Sequence, residues 1–455
     1  MSGSVEKGKF IYVHEFEGSK AIKAIIIRLK IPYAFINVQQ YVCAKSVTAA
    51  NIAAEINDIV LIVLVKTRGI YVTELKYTLN GYKMNADDRV FIYDSKESQE
   101  TIRQKIFAIS TPKKIIIPSD PPGKLIMKNI IQGLNFKDLI VIEGDEIKWD
   151  GKVIYETAKH ILDNSYAKCW IIPKTAFCFG IRMTTGIKNY DLIFFGNEFV
   201  PTKKETVIAK QSFNFTLFAV NGHTRRDEII ETFTLPTNCH TVKLVLSVDS
   251  NNFPSFEIVR ATIPKVISLP NILDRFVSSK VPIFGFFANS SVICHYRDGF
   301  YQFLDGWNGV YGKDLLISFA TKNPTYMENA VEALQTKPSY VVLDLIRIMS
   351  MPSNDIKHDG PWNFKFTKDA ENPVLIEFDK ADGSRGKASP AFLMAMLIKD
   401  HLRAIKDEIG EKPLEIGFCL LDDCYKMEQR SRIVEQFNVA CKLIKIKGTF
   451  LPFIV

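Results

Sequence analysis

Residues able to carry chemistry are few in this chain and poorly spaced for it. The eight cysteines, Cys43, Cys169, Cys178, Cys239, Cys294, Cys419, Cys424 and Cys441, form no Cys-x-x-Cys pair. Cys239-His240 and Cys294-His295 are isolated dipeptides, not a metal framework, so buried reduced thiols are expected. No P-loop, Gly-x-Gly-x-x-Gly or His-Glu-x-x-His run occurs. Asp422-Asp423 closes a strand-like segment and reads as a solvated turn or helix cap, with a metal role as the alternative. Trp149-Asp150-Gly151 and Gly306-Trp307-Asn308-Gly309 have turn composition.

The bulk properties fit a globular protein of 455 residues, long enough for two to four domains. Hydrophobic residues make up 47% and charged residues 24%, and the formal net charge of +8 is carried by scattered lysines. No concentrated basic surface results, and no nucleic-acid partner is expected. The longest apolar run, Ile59 to Val65, falls far short of the roughly 20 residues of a membrane helix, so no membrane partner is expected. Met1 to Phe10 lacks the apolar core of a signal peptide, and a cytoplasmic location is expected.

The elements that must position any site follow from periodicity. Ile59 to Val65 reads as a buried strand, Tyr71 to Tyr77 as a second, and Asn80-Gly81 as the turn after it. Gly123 to Gln132 and Lys152 to Leu162 carry helical spacing on either side of the strand-like Asp138 to Ile142. From Cys169 to Arg260, short Phe- and Val-rich segments separated by turn residues predict an all-β module, with Phe213, Phe215 and Leu217 on one strand face. Pro264 to Lys280 reads as a linker. Beyond it, Phe284 to Tyr296 and Gly299 to Leu304 read as strands, Ala391 to Ile405 as an amphipathic helix, Leu414 to Leu421 as a strand and Met427 to Ala440 as a helix. The expected division is 1–165, 166–263, a linker over 264–280, and 281–455. One short repeat relates Ile26-Ile27-Arg28-Leu29-Lys30 to Leu443-Ile444-Lys445-Ile446-Lys447.

Three stretches resemble the 70-kDa heat-shock chaperones of the DnaK type. In the last third, Asn323-Pro324-Thr325 parallels the family's NPT, Leu343 to Arg347 the start of FDAKRLIGR, and Asp355-Ile356-Lys357-His358 the start of DMKHWPF. In the middle, Phe179-Gly180-Ile181 parallels LGIETAGG, Pro201 to Lys204 IPTKK, and Val248 to Asn252 IDANG. Near the start, Asp58 to Leu75 stands where NVLIFDLGGGTFDVSIL would be, and Ile115 to Lys124 where VLVGGSTRIPK would be. Roughly 90 residues of family helices are missing between Asn85 and Asp88. The family order is first lobe, second lobe, β substrate domain; here it is second lobe, β domain, first lobe. The resemblance therefore implies a multidomain α/β plus all-β fold, with actin-like ATPase-type lobes, split and circularly permuted, flanking a β-sandwich substrate-binding-like domain.

The same resemblance implies that ATP hydrolysis is lost. The family's first phosphate hairpin, DLGTT, falls on Gly285-Phe286-Phe287-Ala288-Asn289, so the acid becomes Gly285 and a glycine becomes Phe287, which is expected to crowd a phosphate. The second hairpin falls near Val63 to Arg68, where Lys66 and Arg68 retain charge but the glycines are gone. The catalytic lysine falls on Ile346, beside Arg347, and the adenosine-contacting GGS falls on Pro118-Ser119-Asp120. Phosphoryl transfer needs amides around phosphate, acids on Mg²⁺ and a positive group near the γ-phosphate. Their loss predicts a pseudo-ATPase without a cofactor, and leaves weak ATP or ADP binding open. What the resemblance leaves is peptide recognition of the strand-addition kind. Its groove would fall on Ile181, Thr184, Ile208, Phe215 and Leu217, with unfolded or extended peptides, authentic chaperones or co-chaperones as partners. An ATP-binding chaperone with an atypical site and a structural remnant without client are the alternatives.

Overall fold

A computed structural model describes residues 28, 33–66, 69–85, 88–118, 124–142, 146–175, 177–186, 188–220 and 226–452. The chain divides into two compact units. The first comprises Met1–Phe177, Gly196–Thr202 and Val248–Pro254, and the second Cys178–Phe195, Lys203–Ser247 and Ser255–Val455. Mixed α/β structure runs through both, with six separate sheets among the described residues. No described helix is long and apolar enough to cross a membrane.

The first unit opens with helix α1 (Val38–Ala50), capped by the Asn37 side chain. Strands β1 (Ile59–Lys66), β2 (Gly69–Thr78) and β3 (Gly81–Met84) follow as an antiparallel meander, with β4 (Arg89–Phe91) beside β2. Helices α2 (Gln99–Phe107) and α3 (Lys124–Leu134) bracket β5 (Lys114–Pro118); β6 (Leu139–Ile142) precedes α4 (Glu146–Leu162). The sheet order is β3-β2-β1-β5-β6, with β5 parallel to β1 and β6 parallel to β5. Both faces of β1 are covered. Val60 and Ile62 pack with Cys43, Val47 and Val153, while Leu61, Val63 and Val65 pack with Ile102, Ile106 and Ile130. A strand buried on both faces reads as an unbroken apolar run, which is why Ile59 to Val65 shows no alternation. Trp149-Asp150-Gly151, expected as a turn, lies inside α4. Asp150 ion-pairs with Lys45 at 2.9 Å and accepts the Tyr41 hydroxyl, so tertiary contacts from α1 outweigh the helix cost of one glycine.

The second unit begins with two β sheets, the pair proposed below as a β sandwich. One sheet has the order β11-β10-β7-β8, built from β7 (Cys178–Thr185), β8 (Lys188–Phe195), β10 (Asn214–Val220) and β11 (Asp227–Phe233). The other has the order β13-β12-β9, from β9 (Thr202–Ala209), β12 (Thr241–Val248) and β13 (Pro254–Ala261). Residues 264–280, expected as a linker, instead hold two short helices, α5 (Pro264–Ile267) and α6 (Leu269–Phe276), whose Val266, Leu269 and Leu273 are buried in the next core. The two prolines sit at helix starts, where a missing N–H costs nothing.

An α/β body completes the unit. Strands β14 (Ile283–Phe287), β15 (Ser290–Arg297) and β16 (Phe300–Phe303) form an antiparallel meander, with the two-residue β17 (Lys313–Asp314) against β15. Three short strands, β18 (Ile317–Ser318), β19 (Thr325–Tyr326) and β20 (Val341–Val342), make a small sheet beside α7 (Val331–Thr336) and α8 (Leu345–Ser350). A further sheet pairs β21 (Lys365–Thr367), β22 (Leu375–Asp379) and β23 (Arg385–Ala388). Helix α9 (Pro390–Ile409), β24 (Glu415–Leu420), α10 (Met427–Leu443) and β25 (Lys447–Phe450) follow. The main sheet has the order β16-β15-β14-β24-β25, with β24 parallel to β14 and β25 parallel to β24. Strand for strand, this repeats the order and sense of the first unit's sheet.

Candidate functional site

The candidate site lies in the second unit, at the carboxyl ends of the parallel neighbours β14 and β24, the edge where open α/β sheets usually bind ligands. A cavity of about 240 Å³ opens there, lined among others by Ala288, Asn289, Asp314, Asp344, Asp422 and Lys210. It adjoins a shallower cleft of about 410 Å³ through Arg347, Cys424 and Tyr425.

The β14–β15 turn builds one wall. Ala288 turns in the left-handed region at φ 46, and its N–H donates to Asp422 Oδ2 at 2.6 Å. Asn289 Oδ1 accepts the Asp344 N–H at 2.8 Å, and Asp344 is itself left-handed at φ 62. The Asp344 carboxylate also accepts the Trp362 indole N–H at 3.1 Å. Asp422 is thus a half-buried residue rather than a solvated turn, and its carboxylate holds the hairpin amide. Its neighbour Asp423 is exposed and ion-pairs with Lys265. Among the described residues no group of three or more His, Cys, Asp or Glu is placed to hold a metal ion.

The sandwich builds the opposite wall. Lys210, 5% exposed, follows β9 and donates to the carbonyls of Tyr311 and Gly312. Asp314 Oδ2 accepts Ser212 Oγ at 2.8 Å and Asp314 Oδ1 accepts Ser290 Oγ at 2.9 Å. Burial pushes the carboxyls of Asp314, Asp344 and Asp422 above the usual range and pushes the Lys210 ammonium below its own. Three half-buried carboxyls thus line one cavity, with Lys210 and Arg347 as the cations on its lining. Arg347 is already engaged: it ion-pairs with Asp359 at 2.8 Å and lies over the Trp362 ring.

The residues expected at a degenerate nucleotide site are dispersed. Gly285 sits inside the sheet, where an added Cβ would meet Leu269 and Leu421 at 2.9 Å, so an acid there would have to displace both leucine side chains. Phe287 does not crowd the cavity. It shares a strand face with Ile283 and Gly285 and is buried with Val266, Leu269 and Val292, because alternation sends its ring into the core. Asn289 and Arg347 do line the cavity. Ile346 is buried in α8, turned away by one helical step from Arg347. Lys66 ends β1 in the first unit, exposed, with its ammonium over the Tyr71 ring. Ser119 and Arg68 lie outside the described residues.

The five expected groove residues do not line one surface. Ile181 pairs directly with Leu217, and Phe215 with Met183; Ile181, Phe215 and Leu217 are all buried on the inner face of their sheet. Thr184 pairs with Asn214 on the opposite face and its hydroxyl meets Asn189 at 3.2 Å. Ile208 belongs to the other sheet. The outer face of the four-stranded sheet carries a different apolar row. Phe218 folds over Gly180 between the exposed Phe194 and Ile229, with the Arg182 guanidinium 4.0 Å from the Phe218 ring centre.

Sequence reasoning missed Lys210, Ser212 and Asp314, which come together only because the sandwich meets the α/β body. Asp422 carried a signal, an acid at a strand end, but its partner lies 134 residues away. No known family model matches the chain, and no curated protein matches it in sequence.

Proposed function

We propose that the chain is a heat-shock-70-like pseudo-chaperone, a binding protein that does not hydrolyse ATP. In this reading two actin-like lobes, split and permuted, flank a sandwich that takes peptide or protein. The repeated six-stranded sheets support the duplicated lobes, since both have the same order and the same strand senses. The β sandwich between them in sequence supports a binding module of the family's substrate-domain type.

One observation carries the loss of catalysis. The amide that a phosphate hairpin would offer its ligand is taken by the chain's own Asp422 carboxylate. A carboxylate at that amide does what a phosphate oxygen would do, so ligand binding must first break an internal charge-assisted bond. The binding partners remain extended or unfolded peptides, or true chaperones and their co-chaperones, on the strength of the resemblance over 179–252.

Calorimetric titration with Mg-ATP and Mg-ADP tests this reading. Silence in both is expected, and screening against a peptide array then seeks the client class. Micromolar binding of either nucleotide would overturn it.

A further inference from the structure

His240 stands where three parts of the second unit meet: the sandwich, the start of α5, and the 305–314 segment. It is completely buried, and both ring nitrogens are committed. Nδ1 accepts the Ile263 N–H at 2.8 Å, and Nε2 bonds the Val310 carbonyl at 2.7 Å. An N–H partner on one side and a carbonyl on the other fix a single tautomer: Nδ1 bare, Nε2 protonated. The backbone of His240 continues the clamp, donating to Ala261 O and accepting from Lys210 N.

We infer that His240 is an acid-released latch that holds the sandwich against the α/β body. Protonation puts a hydrogen on Nδ1, which can then no longer accept from Ile263. It leaves a buried N–H facing a buried N–H, at an interface also holding a charged lysine.

The surroundings offer the imidazolium little relief. From the sandwich, Lys210 faces it with like charge, and Cys239 beside it is a thiol bonded to Pro236 O. From the 305–314 segment come the Tyr311 ring at 6.0 Å and Asp314, whose carboxylate is held by Ser212 and Ser290 and attracted to Lys210. From β14 comes the Phe287 ring, at 5.1 Å. From α5 comes the Ile263 amide. Burial and Lys210 both push the imidazole below its ordinary range, in keeping with a group held neutral. Opening the interface hydrates the ring, so acid favours the open form.

Hydrogen exchange read by mass spectrometry on the full chain tests this, at about pH 7.5 and about pH 5.5, after correction for intrinsic rates. Segments 209–213, 261–264 and 309–314 are expected to exchange up to about tenfold faster in acid, the ratio set by an ordinary histidine one unit above that pH. The β14 strand in the same molecules should stay protected, which separates release from unfolding. The His240→Asn variant keeps a side-chain acceptor near the Ile263 N–H but cannot titrate; its three segments should be equally protected at both pH values. Equal protection in the wild type, or acid opening in His240→Asn like that of the wild type, would overturn the proposal. If His240→Asn does not fold, the wild-type pattern alone decides.

Discussion

Acid should lower the stability of the α/β body, without unfolding it, through a second histidine, His401, and the size of the effect can be worked out. His401 lies in α9, fully buried against β14 and β15, with the Phe284 ring at 4.8 Å and the Trp307 ring at 4.2 Å. Nδ1 bonds the Leu397 carbonyl at 2.7 Å, and Nε2 meets Ser291 Oγ at 2.8 Å. Ser291 Oγ in turn accepts the Trp307 indole N–H at 3.1 Å. Every polar atom of this chain of bonds is satisfied with the imidazole neutral. Burial brings its pKa down from 6.5 to about 4. A group depressed in the folded state contributes stability that is complete above its unfolded pKa and is lost as pH falls towards the folded one. Between about pH 7.5 and about pH 5 the unfolded chain takes up nearly a full proton and the folded chain almost none. One and a half units at ~1.4 kcal/mol each gives a loss of about 2 kcal/mol from this residue. Urea unfolding followed by tryptophan fluorescence at the two pH values measures the total. The His401→Leu variant is less stable at neutral pH, but its loss on acidification should be smaller than the wild type's by about 2 kcal/mol. Equal losses in the two proteins would refute the assignment, because every other titrating group is common to both.

Other substitutions probe the site itself. Asp422→Ala leaves the Ala288 N–H without its acceptor and should cost ~1–3 kcal/mol, read as a lower urea midpoint, whereas Asp422→Asn keeps an acceptor and should cost less. Gly285→Asp restores the acid that the family resemblance calls for; it should give no nucleotide binding and lower the melting temperature, since the new side chain is driven against Leu269 and Leu421 and buries an unpaired charge worth several kcal/mol, on the order of 3–5. Gly312→Ala should be similarly harmful by thermal melting: Gly312 adopts φ +62, and a Cβ there would lie 2.1 Å from the Ser291 carbonyl oxygen. Phe287→Ala should cost about 3–5 kcal/mol as a core truncation and leave nucleotide titrations silent; if Phe287 instead shielded the cavity, its removal would let nucleotide bind.

The parts of this protein that local pattern determines were legible in the amino-acid sequence. The apolar run Ile59 to Val65 is a strand with helices on both faces, and Ala391 to Ile405 lies within one long helix because apolar residues recur at helical spacing. The recurring Phe- and Val-rich segments between turns are the strands of two sheets. Trp149-Asp150-Gly151 resembled a turn because composition registers the glycine, whereas the Lys45 and Tyr41 partners of Asp150 are supplied by another helix. Tertiary structure alone decided the candidate site. Periodicity puts Ile181, Phe215 and Leu217 on strand faces but does not say whether that face meets the other sheet or solvent; here it meets the core. Alternation gives Phe287 a face, and only the packing of α5 and α6 makes that face interior. The bonds at the cavity, Asp422 to Ala288 and Ser212 to Asp314, and those of His240 to Ile263 and Val310 elsewhere in the same unit, join residues 23 to 134 positions apart. Hydrogen bonds of that reach leave no periodic trace, because each depends on one pair of atoms meeting after the sheets have formed.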